Sequence, residues 1–141
     1  FKLAAKNKHI KAILGVGDLE TMRNVAKASL VCMMAGADFI KTSTGKETIN
    51  ANLNNSLVML RMIREFHEIT RKKIGFKPAG GISSAKSVIE FLILVLEELG
   101  SEWINPKLLR IGASSLLIDI ERQLYHFAVG RYANKDKMAI G

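Results

Sequence analysis

Twice in this chain a short apolar run with strand character ends on a lysine and breaks at once into small residues. Ala37-Asp38-Phe39-Ile40-Lys41 leads into Thr42-Ser43-Thr44-Gly45-Lys46, and Ile74-Gly75-Phe76-Lys77 leads into Pro78-Ala79-Gly80-Gly81. Such a switch to hydroxyl-bearing and glycine residues is the composition of a strand-to-helix loop. Lysine is rarely left unpaired on an apolar face. A fold for this chain must therefore give two strand-end amines a purpose or a route to solvent.

The same strand, loop and helix pattern recurs along the chain, whose first residues, Phe1 to Lys8, read as the end of a helix, so that it is expected to start mid-element. His9 to Leu14 reads as a strand and Gly15-Val16-Gly17 as a loop. Asp18 is then an N-cap with Glu20 in the first turn, and Met22, Val25, Ala26, Ser29, Leu30, Met33 and Met34 face inward until Gly36 ends the helix. The second unit runs from the Ala37 to Lys41 strand to a helix capped within Asn54-Asn55-Ser56 and carrying Leu57, Leu60, Ile63, Phe66 and Ile69 inward. The third runs from Ile74 to Lys77 to a helix capped near Ser84, with Val88, Leu92, Val95, Leu96 and Leu99 inward, ended by Gly100. The fourth is Leu109-Arg110-Ile111, the loop Gly112-Ala113-Ser114-Ser115, and a helix burying Leu116, Leu117, Ile120, Leu124 and Phe127. After Gly130 the sequence turns polar, and residues 131–141 are expected to fray.

Four βα units in series predict parallel strands joined by right-handed crossovers. Such units either stay an open doubly wound sheet or close into an eightfold barrel, which needs roughly 250 residues. With 141 residues, the chain fits a single domain, 1–141, of four units, half of such a barrel. Composition adds exclusions: the longest strongly apolar run, Phe91 to Leu96, meets Glu97-Glu98 and is too short to span a bilayer. The start shows no secretory pattern, and the single cysteine, Cys32, cannot form an intramolecular disulfide. A cytoplasmic location is the expectation. The net charge of +8 is spread along the chain and interleaved with acids, and aromatics are few, so no nucleic-acid partner is expected; a solvated basic surface or attraction for a small phosphate ester explains the charge.

Lys41 and Lys77 end consecutive strands, and parallel neighbours lie about 4.8 Å apart. Two ammonium groups so placed disfavour each other's charge, desolvation acts the same way, and one amine is expected to be neutral near pH 7. A neutral lysine beside a second cation is how a Schiff-base nucleophile is activated. Either lysine alone is explained by snorkelling to solvent; the pair, each followed by a small-residue loop, points to catalysis. Gly80-Gly81 and Gly112-Ala113-Ser114-Ser115 offer backbone N–H groups and hydroxyls at helix N-termini, where a phosphate is well held.

Gly36 to Lys46, Gly75 to Gly81 and Arg110 to Leu117 resemble, in order and spacing, the signature segments of the deoxyribose-phosphate aldolase family. The resemblance spans essentially the whole chain and the C-terminal half of the family's barrel, its fifth to eighth βα units. It implies a TIM-type (βα)8 barrel family present here as a (βα)4 half barrel. It also implies a class I aldolase, free of metal and other cofactors, cleaving 2-deoxy-D-ribose 5-phosphate to acetaldehyde and D-glyceraldehyde 3-phosphate. By the resemblance Lys41 is the Schiff-base lysine, Lys77 the lysine that lowers its pKa, and Gly45, Lys46, Gly80, Gly81, Gly112, Ser114 and Ser115 surround the substrate phosphate. The partners it implies are a sugar phosphate and aldehydes. The family's proton-relay aspartate lies on an earlier strand absent from this sequence, Ser83 stands where the family often has arginine, Val16 replaces a usual threonine, and the C-terminal tyrosine of some members is missing. A half barrel exposes strand edges and an apolar inner face, so self-association or pairing with an N-terminal half is expected. The competing reading is a half barrel that binds phosphate but has lost turnover.

Overall fold

The computed structural model describes residues 1–134; the remainder of the expected fraying tail, residues 135–141, lies outside them. The order of elements is α1 (Lys2–Ala5), β1 (Lys11–Ile13), α2 (Met22–Met34), β2 (Phe39–Lys41), α3 (Leu53–Thr70), β3 (Gly75–Lys77), α4 (Ala85–Leu99), a 3₁₀ turn (Ser101–Trp103) and α5 (Leu116–Val129). The strands form one parallel sheet in the order β1-β2-β3. α3 packs between α2 and α4, and α5 rests on α4.

Alternation along the strands separates two chemistries. Ile40 and Phe76 point to the helices and are fully buried, in a core with Val25, Met33, Met59, Leu60, Ile63 and Val95. Phe39 and Lys41 on β2, and Gly75 and Lys77 on β3, take the opposite face. There Phe39 stacks under cations on both sides, with the Lys11 ammonium 4.8 Å and the Arg110 guanidinium 5.7 Å from its ring centre.

The expected fourth strand is not continuous. Residues 108–112 follow β3 through two isolated parallel bridges, Phe76 with Leu109 and Ala79 with Gly112. Phe76 N–H donates to Leu108 (2.8 Å), Arg110 N–H to Phe76 (3.1 Å) and Gly112 N–H to Pro78 (2.8 Å). The next donor in that ladder would be the N–H of residue 78, and proline has none. One missing proton thus splits a strand into two contacts.

Two helix starts also differ from expectation. Glu20 has φ 62°, a left-handed conformation that a right-handed helix cannot run through. α2 is therefore capped by Thr21, whose Oγ1 accepts the Asn24 N–H at 3.2 Å, and Asp18 and Glu20 lie before it. α3 is capped by Asn52, which accepts from Asn55 N–H at 2.8 Å, leaving Asn55 and Ser56 buried in its first turn. Gly36, with φ 92°, follows α2 as expected, and Ser84 and Gly100 bound α4 as expected.

Several residues expected inside are outside. Ile69 is 84% exposed because, nine residues on at about 100° each, it lies on the opposite side of α3 from fully buried Leu60, and Met34 is 75% exposed. On α5 Leu116 is buried, but Leu117, Leu124 and Phe127 are exposed, since α4 is the helix that α5 packs on and it covers one flank. Tyr132 folds back on α5, stacked on His126 at 4.2 Å and donating to Gln123 Oε1 at 3.1 Å. No helix among the described residues is long and apolar enough to cross a membrane.

Candidate active site

Register decides where the two strand-end lysines meet. Lys41 and Lys77 are Cα partners in the β2–β3 pairing, so they occupy one rung of the sheet and leave it on the same face. Both are half-buried. Gly112 makes room beside them: a Cβ at that position would lie 2.6 Å from the Ala79 Cβ and 3.0 Å from the Lys77 Cε. Two more cations, Lys11 and Arg110, share the face over the Phe39 ring. Burial lowers the Lys11 pKa, and the charges of Lys77, Arg110 and Lys41 lower it further. Period-two alternation from Lys41 and Phe39 to the register partner Lys11 was the signal that could have found it.

Beyond the lysine rung the loops enclose a cleft of about 460 Å³. Its wall brings together Lys41, Gly45, Lys46, Gly80, Gly81, Gly112, Ser114 and Ser115, with Ser83 beside them. Lys77 stands behind this wall, its stem against Gly112. Gly80 and Gly81 have φ of 92° and 77°, which only glycine adopts without strain. Gly80 also has no space for a side chain, because a Cβ would fall 2.6 Å from the Cβ of Asn50.

The residue that holds the three loops together is Ala79. Its N–H donates to Thr42 Oγ1 at 2.9 Å, and its carbonyl accepts from Thr42 Oγ1 at 3.1 Å and from Ser43 Oγ at 2.7 Å. Ser43 Oγ also lies 2.9 Å from Asn50 Oδ1, and Asn50 Nδ2 donates to the Glu47 carbonyl at 2.7 Å. Thr42 and Ser43 are fully buried, so these bonds form away from competing water. On the other side Gly112 N–H reaches Pro78 and Gly80 N–H reaches Gly112. The loop hydroxyls at 42 and 43 are thus structural ties.

Of the two helix N-termini expected to receive an anion, α4 is already satisfied. Ser84 and Ser87 form a reciprocal capping box, and Ala85 N–H donates to Asp119 Oδ2 at 2.7 Å. The Ser115 side chain makes no capping bond at α5. The Thr44–Lys46 loop contains a further feature missed from sequence. The Glu47 carboxylate accepts the N–H groups of Thr44 (2.9 and 3.0 Å), Gly45 (3.0 Å) and Lys46 (3.1 Å). These bonds, that from Thr44 foremost, hold its pKa down to about 2. No spacing rule marks such a contact in advance.

A parallel βα sheet with its charged rung and glycine-hydroxyl loops at the C-terminal strand ends is of the α/β-barrel class, whose sites lie at that end. The chain matches the DeoC/LacD family aldolase model over residues 2–117 and belongs to that family. It is 61% identical over 133 residues to the deoxyribose-phosphate aldolases of Homo sapiens and Mus musculus, and 52% identical over 118 residues to a putative deoxyribose-phosphate aldolase of Caenorhabditis elegans. The human match takes in 94% of this chain and 42% of its relative, so the chain spans less than half the length of the curated relatives it matches. Among solved structures, the apo form of a putative deoxyribose-phosphate aldolase from Toxoplasma gondii ME49 superposes with a TM-score of 0.79 at 26% identity, over 89% of this chain and 49% of that one.

Proposed function

We propose that this chain carries the Schiff-base half of a deoxyribose-phosphate aldolase, reversibly cleaving 2-deoxy-D-ribose 5-phosphate to acetaldehyde and D-glyceraldehyde 3-phosphate. The observation that carries the reading is the shared rung of Lys41 and Lys77 beside a cleft walled by Gly80, Gly81, Gly112, Ser114 and Ser115. In the synthetic direction the Lys41 amine attacks the acetaldehyde carbonyl and loses water to give an iminium. Loss of a proton from the methyl carbon gives the enamine, which forms the new bond to the second aldehyde; hydrolysis frees the product and the amine. Lys77 is the second cation that activates Lys41. The lowered pKa of Lys11 supports a face that resists further positive charge. Gly45, Lys46, Gly80, Gly81, Gly112, Ser114 and Ser115 surround the phosphate: Lys46 acts by charge, Gly81, Ser114 and Ser115 by N–H and hydroxyl donors, and Gly45, Gly80 and Gly112, whose N–H groups bond within the loops, by letting the backbone approach closely. The setting of this chemistry is catabolism of deoxyribose phosphate in the cytoplasm.

The open inner face favours a second component. Ile13, on that face of β1, is about half exposed, and among the described residues β1 has one strand neighbour. The reaction is accordingly assigned to an assembly in which a second copy or an N-terminal half covers the face and supplies proton transfer. The same observation supports the alternative, a half barrel that binds a phosphate ester without turnover.

The test is borohydride reduction in the presence of acetaldehyde, with peptide mass mapping, alongside a retro-aldol assay and light scattering. A reduced adduct on Lys41, lost in Lys41→Ala, together with acetaldehyde release, is the expected result. An adduct without release identifies the impaired half barrel. No adduct on folded, assembled protein refutes the Schiff-base assignment.

A further inference from the structure

Among the described residues the Glu47 carboxylate is the acidic group that gathers backbone donors from the cleft's own Thr44–Lys46 loop, and it does so from outside the cleft lining. Thr44, Gly45 and Lys46 line the cleft; Glu47 is not among its lining residues. Its two oxygens accept four N–H contacts from those three residues, at 2.9 to 3.1 Å. Convergent N–H groups of this kind make a ready anion seat, and here the chain's own anion fills it. Those N–H groups are therefore committed to Glu47. What the loop offers the cleft is the Lys46 side chain and the close approach of Gly45 to Gly80, where a Cβ on Gly45 would stand 3.6 Å from the Gly80 Cα. Asn50 Nδ2, bonded to the Glu47 carbonyl, ties the same turn to the Ser43 and Ala79 network.

We propose that Glu47 is a positioning residue for the anion grip: by clamping the Thr44–Lys46 backbone it fixes Lys46 and Gly45 on the rim of the cleft and so sets phosphate affinity without touching the phosphate. The inference rests on the reading of this cleft as the phosphate end of the site. Charge and position act with opposite signs here, which makes the idea decidable. Removing a negative charge near a bound anion strengthens binding by relieving Coulomb repulsion. Releasing the loop weakens it, because the ligand must then order Lys46 and its backbone on binding. A depressed carboxylate pKa, about 2, agrees with bonds made to the ionised form.

The experiment titrates inorganic phosphate into the full chain, in whatever assembly it forms, for wild type, Glu47→Gln and Glu47→Ala at fixed pH and ionic strength. Acetaldehyde and borohydride adduct formation at Lys41 is followed in parallel, since acetaldehyde carries no phosphate. Loss of the clamp is expected to weaken phosphate binding about tenfold in Glu47→Ala, the scale of a few charge-assisted hydrogen bonds. Glu47→Gln, which keeps one acceptor oxygen, falls between. The rate of adduct formation stays within about twofold of wild type, as expected for a residue outside the imine step. Unchanged or tighter phosphate binding overturns the proposal, the latter identifying Glu47 as a competing anion. Parallel loss of phosphate binding and adduct formation overturns it in favour of a general loosening of the fold. Phosphate bound by neither wild type nor variants overturns the reading of the cleft and this inference with it, whereas equal binding by all three leaves the cleft reading intact and removes Glu47 alone.

Discussion

Lys41 and Lys77 are partners across a parallel ladder, each the last residue of its strand and each on the face turned away from the helices. That relationship follows from register alone. Slipping β3 by one residue would send Lys77 into the helix-side core and Phe76 to the open face. Burial of Phe76 and Ile40, both fully inaccessible, excludes the slip and so fixes the lysine pair.

The pairing makes Lys77 separable from the nucleophile. Lys77→Met keeps the length of the stem along Gly112 but removes the charge. Adduct formation at Lys41 with acetaldehyde and borohydride should slow about 10²-fold at neutral pH, the lower end of what a positioned acid–base group contributes, with Tm little changed. An undiminished rate would remove Lys77 from the chemistry. Lys41→Ala serves as the zero.

Thr42 carries more of the site's order than its place beside the lysine suggests. Thr42→Val leaves both the N–H and the carbonyl of Ala79 without this hydroxyl, in a region closed to water. A buried group left unsatisfied costs about 1–3 kcal/mol, so the urea midpoint should drop correspondingly. Faster amide exchange at Ala79 and in the Gly80-Gly81 turn would localise the loss. An unchanged midpoint would mean that the three loops hold without this tie.

Gly75 is required for space. A Cβ there would overlap the Phe39 ring, itself wedged between Lys11 and Arg110. Gly75→Ala should destabilise by about 1–3 kcal/mol, the cost of overpacking a filled site, and Phe39→Leu should recover part of it in a double-mutant cycle. Additive effects of the two changes would show that the ring is free to move aside.

What the sequence made legible was the part written in local chemistry. The lysine-to-glycine transitions located two strand ends, Ser84 and Gly100 marked both ends of α4, and the glycine and serine loops do line one cleft. Asp18 misled because a left-handed Glu20 intervenes before Thr21, and backbone handedness at one non-glycine residue leaves no compositional trace. The fourth strand was overread because its interruption lies in its neighbour: Arg110 and Ile111 have strand character, but the missing donor belongs to Pro78. Leu124 and Phe127 have helical spacing, yet an apolar stripe records which face a helix would bury and not whether anything covers it. Glu47 and Asp119 close backbone donors by contacts that depend on the folded loops, across 34 residues in the case of Ala85 and Asp119.

Glu47 also gives the loop a pH signature whose sign is fixed by its bonds. Its folded-state pKa, about 2, lies below the ordinary value of 4.5, with the Thr44 N–H the largest cause. A carboxylate depressed on folding contributes its stabilisation fully above the ordinary value and loses it as pH falls through the folded one. The Thr44, Gly45 and Lys46 amide resonances should therefore hold steady down to about pH 4.5 and move together as pH approaches 2, in step with the Glu47 carboxyl carbon. Glu47→Gln should abolish the concerted shift at these three amides. A Glu47 carboxyl that titrates near its ordinary value would mean that the carboxylate does not hold the loop in solution, and the clamp would have to be abandoned along with the rim geometry it imposes.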